Sequence, residues 1–152
     1  MNQTTQYCSF FVADLFFGVE VQLVQEVIRY QEMTRVPLSA REVGCLINLR
    51  GQIVTAIDLR RRLKLPDRTD GALPMNVVVR TDEGAVSLLV DEIGDVVDVD
   101  ASTFESTPAT VAGEVRDVIT GVHKLDRRLL LLLDTARTLD VNATAVAAVG
   151  AD

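Results

Sequence analysis

Residues 48–59, Asn48-Leu49-Arg50-Gly51-Gln52-Ile53-Val54-Thr55-Ala56-Ile57-Asp58-Leu59, decide the fold class. Leu46, Ile47 and Leu49 make an apolar run that stops at Arg50-Gly51. A second run starts at Ile53 and continues through Val54, Ala56, Ile57 and Leu59. Two short apolar runs rich in β-branched residues, with Gly between them, predict two strands and a tight connection. Gly tolerates the positive φ such a turn often needs, so Arg50 is expected at a strand end with its guanidinium reaching outward. A planar guanidinium makes directed hydrogen bonds and suits docking against a partner protein. It suits a solvated strand end equally well, and the residues alone leave both readings open.

The same pattern recurs along the chain. Tyr7–Ala13 and Leu15–Val19 read as strands around a turn at Ala13-Asp14. On a helical wheel, Gln22, Gln25, Glu26 and Arg29 share one narrow polar arc, so Val21–Tyr30 reads as a helix with a wide apolar face. Met33–Val36 is extended and ends at Pro37. Asp58 can cap a short helix through Leu63, and Lys64–Ala72 is a loop by composition. Asn76–Arg80 and Ala85–Val90 form a hairpin across Thr81-Asp82-Glu83-Gly84, and Ile93–Val99 is a further strand. Asp100–Gly113 reads as a polar loop with a helical turn. Val118–Leu125 and Arg128–Leu133 form the last hairpin, Asp134 can cap a helix to Leu139, and Asn142–Asp152 reads as a loose tail. Many short strands with closely spaced turns predict an all-β sandwich or barrel.

Composition narrows the function classes. The 152 residues are enough for one domain. Apolar residues make up 48% and aromatics only 5%, with no Trp, so the core must come from Val, Leu and Ile. A net charge of −7 argues against phosphate neutralisation as the source of affinity, and so against a nucleic-acid partner. The one basic run, Arg60-Arg61-Arg62-Lys64, lies between Asp58 and Asp67 and reads as solvated. Cys8 and Cys45 are too few for a disulfide framework. No signal segment and no long apolar span are present, so a cytoplasmic protein without membrane insertion is expected.

No motif carries catalysis. His123 is the single His, with no second His or Cys nearby to suggest a metal site. No Ser or Cys motif gives it a nucleophile to activate. Asp91, Glu92, Asp95, Asp98 and Asp100 alternate with Ile93, Val96, Val97 and Val99, which places them on a solvated strand face instead of around a cation. Gly44, Gly51 and Gly121 are isolated and form no phosphate cradle. No enzyme, cofactor or metal is expected.

Asn48-Leu49-Arg50-Gly51, followed by Ile53-Val54 and Ile57-Asp58-Leu59, resembles the signature of the CheW family of bacterial chemotaxis adaptors. Val24-Gln25-Glu26-Val27-Ile28 resembles its early Val-x-Glu-Ile segment. Leu89-Val90-Asp91 through Ile93, Val96 and Val97 resembles a third block. Thr120-Gly121-Val122 through Leu129–Leu133 and Asp134 resembles the C-terminal hairpin. The resemblance covers roughly residues 7 to 140. It implies two small SH3-like, five-stranded β-barrel subdomains with short helices, intertwined in one domain over 1–140. It also implies a non-catalytic adaptor at receptor arrays, coupling chemoreceptors to the histidine kinase CheA. The kinase's homologous regulatory domain would lie on one face, the receptor's coiled-coil tip between the barrels, and further CheW copies beside it in array rings. Residue by residue, Val24 and Glu26 match the receptor-contact segment and Arg50 matches the motif's Arg. Cys45 stands where the family usually has Gly, and Thr55 where Pro is common.

Two other readings stand beside it: a paralogue serving a pathway other than swimming, and a small β-barrel binder of ligand or nucleic acid using Arg60–Lys64. A single-strand binder needs stacking aromatics on its sheet. Of Tyr7, Phe10, Phe11, Phe16, Phe17, Tyr30 and Phe104, most fall in the first hairpin and read as core.

Overall fold

Leu49 pairs with Gln52, so Arg50 and Gly51 are the two central residues of a tight hairpin between β5 (Cys45–Leu49) and β6 (Gln52–Asp58). This hairpin belongs to a computed structural model in which residues 4–29, 33–35, 45–69, 71–82, 84–111 and 113–139 are described. The expected loose tail at 142–152 lies outside those residues.

The other strands are β1 (Thr4–Val12), β2 (Leu15–Glu20), β3 (Val24–Ile28), β4 (Met33–Arg35), β7 (Met75–Thr81), β8 (Gly84–Val90), β9 (Glu92–Asp100), β10 (Phe104–Glu105), β11 (Ile119–Lys124) and β12 (Leu129–Leu133). Among the described residues they form two sheets of six, in the orders β10-β11-β12-β2-β1-β9 and β3-β7-β8-β6-β5-β4. Each sheet is thus five longer strands plus one of two or three residues, close to the two five-stranded units expected. Among the described residues there are also three short α-helices: α1 (Leu59–Arg62), α2 (Gly113–Asp117) and α3 (Thr135–Leu139). The second sheet is an insertion, since β3 to β8 all fall between β2 and β9 of the first.

Strands such as β8 and β12 are apolar on both faces because both faces are covered. In β12, Leu131 and Leu133 join a large core cluster while Leu130 and Leu132 join a second, smaller one. In β8, Leu88 and Val90 enter the large cluster and Leu89 a third. The large cluster takes Phe10, Phe17 and Val122 from the first sheet and Ile57, Val77 and Val79 from the second. Period-two alternation therefore feeds two small private cores and one shared core between the sheets, which explains runs such as Leu129–Leu133 with no polar interruption.

Two local expectations need correction. Val21–Tyr30 is not a helix: Val21–Leu23 form one 3-10 turn, and Val24–Ile28 are an edge strand paired with β7. Three of those five residues are β-branched, and pairing against Val77, Val78 and Val79 overrides the helical periodicity. Tyr30 lies outside the described residues. Within Asp100–Gly113, Phe104 and Glu105 pair with His123 and Val122 as a short edge strand. The caps appear where the sequence places them: Asp58 accepts from the Arg60 N–H at 3.0 Å and Asp134 from the Arg137 N–H at 3.1 Å.

The edge strand β9 carries a bulge. Cys8 pairs with Val96 and Phe10 with Ile93, so Gly94 and Asp95 together face Ser9. Ser9 donates its hydroxyl to the Asp95 carbonyl at 2.5 Å. A Cβ on Gly94 would lie 2.4 Å from Ser9 Oγ, so with Ser9 opposite the bulge has no room for a side chain there.

Candidate functional site

Arg50 and Gly51 both sit at positive φ, +53° and +88°. That pair of values is the signature of a type I′ hairpin turn, whose twist matches that of the flanking strands. Gly adopts it freely, but an Arg there carries the Cβ penalty of the left-handed region. Asn48 supports the turn by accepting from the Gly51 N–H at 2.8 Å. The Asn-x-Arg-Gly order thus has a mechanical reading: Asn48 ties the turn, Gly51 lets it close, and Arg50 is held at its apex.

The Arg50 guanidinium lies along the Glu26 carboxylate. Nη1 donates to Oε2 at 3.0 Å, and Nη2 is 3.0 Å from Oε1. Glu26 is carried by β3 and Arg50 by the β5–β6 turn, with β7 and β8 between β3 and β6 in the sheet. The sheet must curl on itself for the two to meet. The side chain of Arg50 is 79% exposed and that of Glu26 only 17%. Glu26, expected in the open, is therefore covered by the Arg itself. Val24, two residues earlier, is half-buried against the shared core, so it has a structural task on a strand instead of the expected helix. The structure joins Arg50 and Glu26 directly and holds Val24 on the same edge strand.

The family model for the CheW-like domain matches residues 6–143. The chain belongs to the CheW family. The chemotaxis protein CheW of Bacillus subtilis (strain 168) is 32% identical over 124 residues, covering 82% of this chain and 80% of that protein. That of Treponema pallidum (strain Nichols) is 25% identical over 137 residues, covering 88% and 81%. The crystal structure of the scaffolding protein TtCheW from Thermoanaerobacter tengcongensis superposes with a TM-score of 0.82 at 23% identity, covering 92% of this chain and 95% of that one. The two curled sheets are the two SH3-like subdomains of the CheW fold, and the chain is a non-catalytic chemotaxis adaptor. The nucleic-acid or ligand-binder alternative is not favoured.

Two charged segments of this CheW chain depart from the expected solvated faces. Glu92, Asp95 and Asp98 are exposed as read, but Asp91 is not: its side chain is 17% exposed. It accepts from Arg60 Nε at 2.9 Å, from Arg60 Nη2 at 2.7 Å and from the Ala13 N–H at 2.6 Å. Arg68 Nε stands 2.9 Å from it as an ion contact out of line for a hydrogen bond, and Arg68 Nη1 donates to Asp58 at 2.9 Å. Burial alone would raise the Asp91 pKa. The Arg60 and Ala13 hydrogen bonds and the nearby charges outweigh it and hold the carboxyl below its ordinary value.

In the basic run, Lys64 is exposed and Arg61 reaches Asp67 at 3.4 Å. Arg62 instead donates to the Thr138 and Arg137 carbonyls at 3.0 and 2.9 Å. No sequence signal marks these partners, because they lie 31 residues away for Arg60 and 75–76 for Arg62.

His123 is buried between the rings of Tyr7 and Phe104, with centroids 5.8 and 5.7 Å away. Its Nδ1 lies 2.8 Å from Thr103 Oγ1, whose one proton goes to the Asp100 carbonyl at 2.9 Å. Nδ1 thus has a hydroxyl partner, and that side of the ring is satisfied inside the fold. Burial lowers its pKa below the usual histidine value. This is a satisfied structural histidine.

Proposed function

We propose that this adaptor couples the cytoplasmic tip of a chemoreceptor to the regulatory domain of the histidine kinase CheA, on the cytoplasmic side of the membrane at receptor arrays. In this reading residues 1–140 act as one unit. Arg50 and Glu26 form the receptor contact, with Val24 shaping the strand beneath them. The observation that carries it is the placement of Arg50. A long charged side chain occupies a backbone conformation that favours Gly, and such outliers mark positions retained for what the side chain does. Two guanidinium N–H groups are directed at Glu26, which fixes the plane of the fork, while the rest of the group is open to solvent. A planar donor aimed in advance loses little freedom on docking.

Kinase docking in this reading is apolar. Among the described residues of the second sheet and its loops, Val27, Ile53 and Leu73 are exposed large hydrophobics, and uncovered apolar surface of this kind serves docking. The test titrates a receptor cytoplasmic fragment and the CheA regulatory domain against the wild-type chain and Arg50→Gly. Weaker receptor binding with unchanged kinase binding is expected. Unchanged receptor binding would remove Arg50 from the contact.

A further inference from the structure

The large core cluster glues the two barrels together, yet apolar burial is non-directional and by itself sets no angle between them. Directional contacts between the barrels gather on α1. Arg60 reaches Asp91, the residue between the last strand of the inserted barrel and the first returning strand of the other. The same carboxylate binds the N–H of Ala13, in the β1–β2 turn, and the Asp91 N–H donates to the Phe11 carbonyl at 2.9 Å. Ala13, at φ +54°, is the first central residue of the two-residue β1–β2 hairpin, where a positive φ is the ordinary turn geometry. Two residues along α1, Arg62 donates to the last carbonyls of α3, the helix that follows β12 of the first barrel. α1 itself is locked at both ends. Asp58 caps its start, and the Lys64 and Leu65 N–H groups bond the Arg61 and Arg60 carbonyls at its end, with Lys64 at φ +58°.

We infer that α1 is a two-point latch, in which Arg60 on Asp91 and Arg62 on the end of α3 set the orientation of the two barrels. One contact would leave a rotation free; two contacts from a capped helix turn do not. The Arg60–Asp91 pair is partly buried, and ion pairs withdrawn from water often add little net stability while fixing one arrangement among several. The shared core supplies adhesion and the latch supplies the angle. On the adaptor reading above, the angle is what relates one partner's site to the other's, but the latch is testable without partners.

The experiment measures amide residual dipolar couplings of the full chain in a weakly aligning medium, fitting an alignment tensor to each barrel separately. In the wild type both barrels share one tensor. Arg62→Met frees one point, and Arg60→Met with Asp91→Leu removes the other as a pair, leaving Arg68 on Asp58. With both points removed, the two tensors should differ in magnitude or orientation while core methyl shifts within each barrel stay native. A single shared tensor in that triple variant would overturn the inference. Loss of native core shifts in both barrels would overturn it too, because the contacts would then hold the fold itself and not the angle. Arg62→Met alone, which leaves only carbonyls that water can satisfy, gives a milder variant that should keep its fold and show a smaller divergence.

Discussion

Glu26 is shielded from solvent by a residue that is itself almost fully in solvent: Arg50 lies across its carboxylate from the apex of a turn belonging to a different part of the sheet. Because the Arg is the exposed member, the two positions should respond differently to substitution. Arg50→Glu would set a second carboxylate on Glu26 and mix a binding effect with local repulsion. Arg50→Gly separates them. Losing an exposed ion pair costs about 0–1 kcal/mol, and relief of the left-handed backbone returns about 1 kcal/mol. The melting temperature should therefore move by only a few degrees, while receptor-fragment affinity falls on the order of tenfold or more. A thermal melt beside a binding titration reads both, and a large drop in melting temperature would show that the turn depends on the Arg.

Glu26→Gln should weaken receptor binding less than Arg50→Gly does. The amide still accepts one hydrogen bond from Arg50 but no longer sets both edges of the fork, so the guanidinium is less well aimed. Equal losses from the two variants would indicate that the carboxylate itself is the contact.

The β9 bulge predicts a coupled pair. Gly94→Ala forces its new methyl onto Ser9 Oγ and should destabilise the fold by about 1–3 kcal/mol, as overpacking does. Adding Ser9→Ala removes that atom, at a cost of about 1 kcal/mol for its hydrogen bond to Asp95. The double variant should accordingly be more stable than Gly94→Ala alone in urea denaturation. Simple additivity of the two losses would count against the steric account.

Stability should fall in two steps on acidification. His123 has a folded pKa below its usual 6.5, so the unfolded chain takes up a proton first. Its contribution is present above pH 6.5 and is lost as the pH falls from there to the folded value. Asp91 is also held below its ordinary 3.8, so its contribution is present above 3.8 and lost below. Asp100, held down chiefly by the Ser102 N–H, titrates in the same lower window. Urea midpoints across pH should show both declines. His123→Gln should remove the first and Asp91→Asn part of the second.

Kinase binding should resist salt and depend on exposed apolar side chains. Ile53, 61% exposed on β6, is the sharpest case. Ile53→Ser should leave the melting temperature nearly unchanged and weaken binding of the CheA regulatory domain at both low and high ionic strength, since apolar burial is not screened. Receptor binding through Arg50 should weaken as salt rises. A reversed pattern would exchange the two surfaces.

Strand positions were legible because their signals are local. Gly at turns, β-branched runs and Asp caps mark β5, β6, the β7–β8 hairpin and α3 within a residue or two. β3 was misread because Gln22, Gln25, Glu26 and Arg29 align on a helical wheel, whereas the strand is imposed by β7, some fifty residues on. Arg50 was legible as an outward-pointing side chain at a turn, but not as the cover of Glu26, which depends on how far the sheet curls. The Asp91 node was invisible for the same reason. Its hydrogen-bond donors, Arg60 and Ala13, come from two separate segments and its second ion contact, Arg68, from a third, and from sequence an acid in an acidic strand looks like any other.

The insertion of one sheet within the other bears on how the chain assembles as it is made. β1 and β2 emerge first, but Thr4 must wait for Asp100 and Phe17 for Leu131 before their sheet is complete. By then β3 to β8 have all left the ribosome and can close on their own. The waiting hairpin carries Phe10, Val12, Phe17 and Val19, whose eventual cover includes Ile57, Val77, Val79 and Leu88 of the inserted barrel. During vectorial synthesis the early hairpin should therefore find apolar cover from the inserted strands before its own late strands arrive.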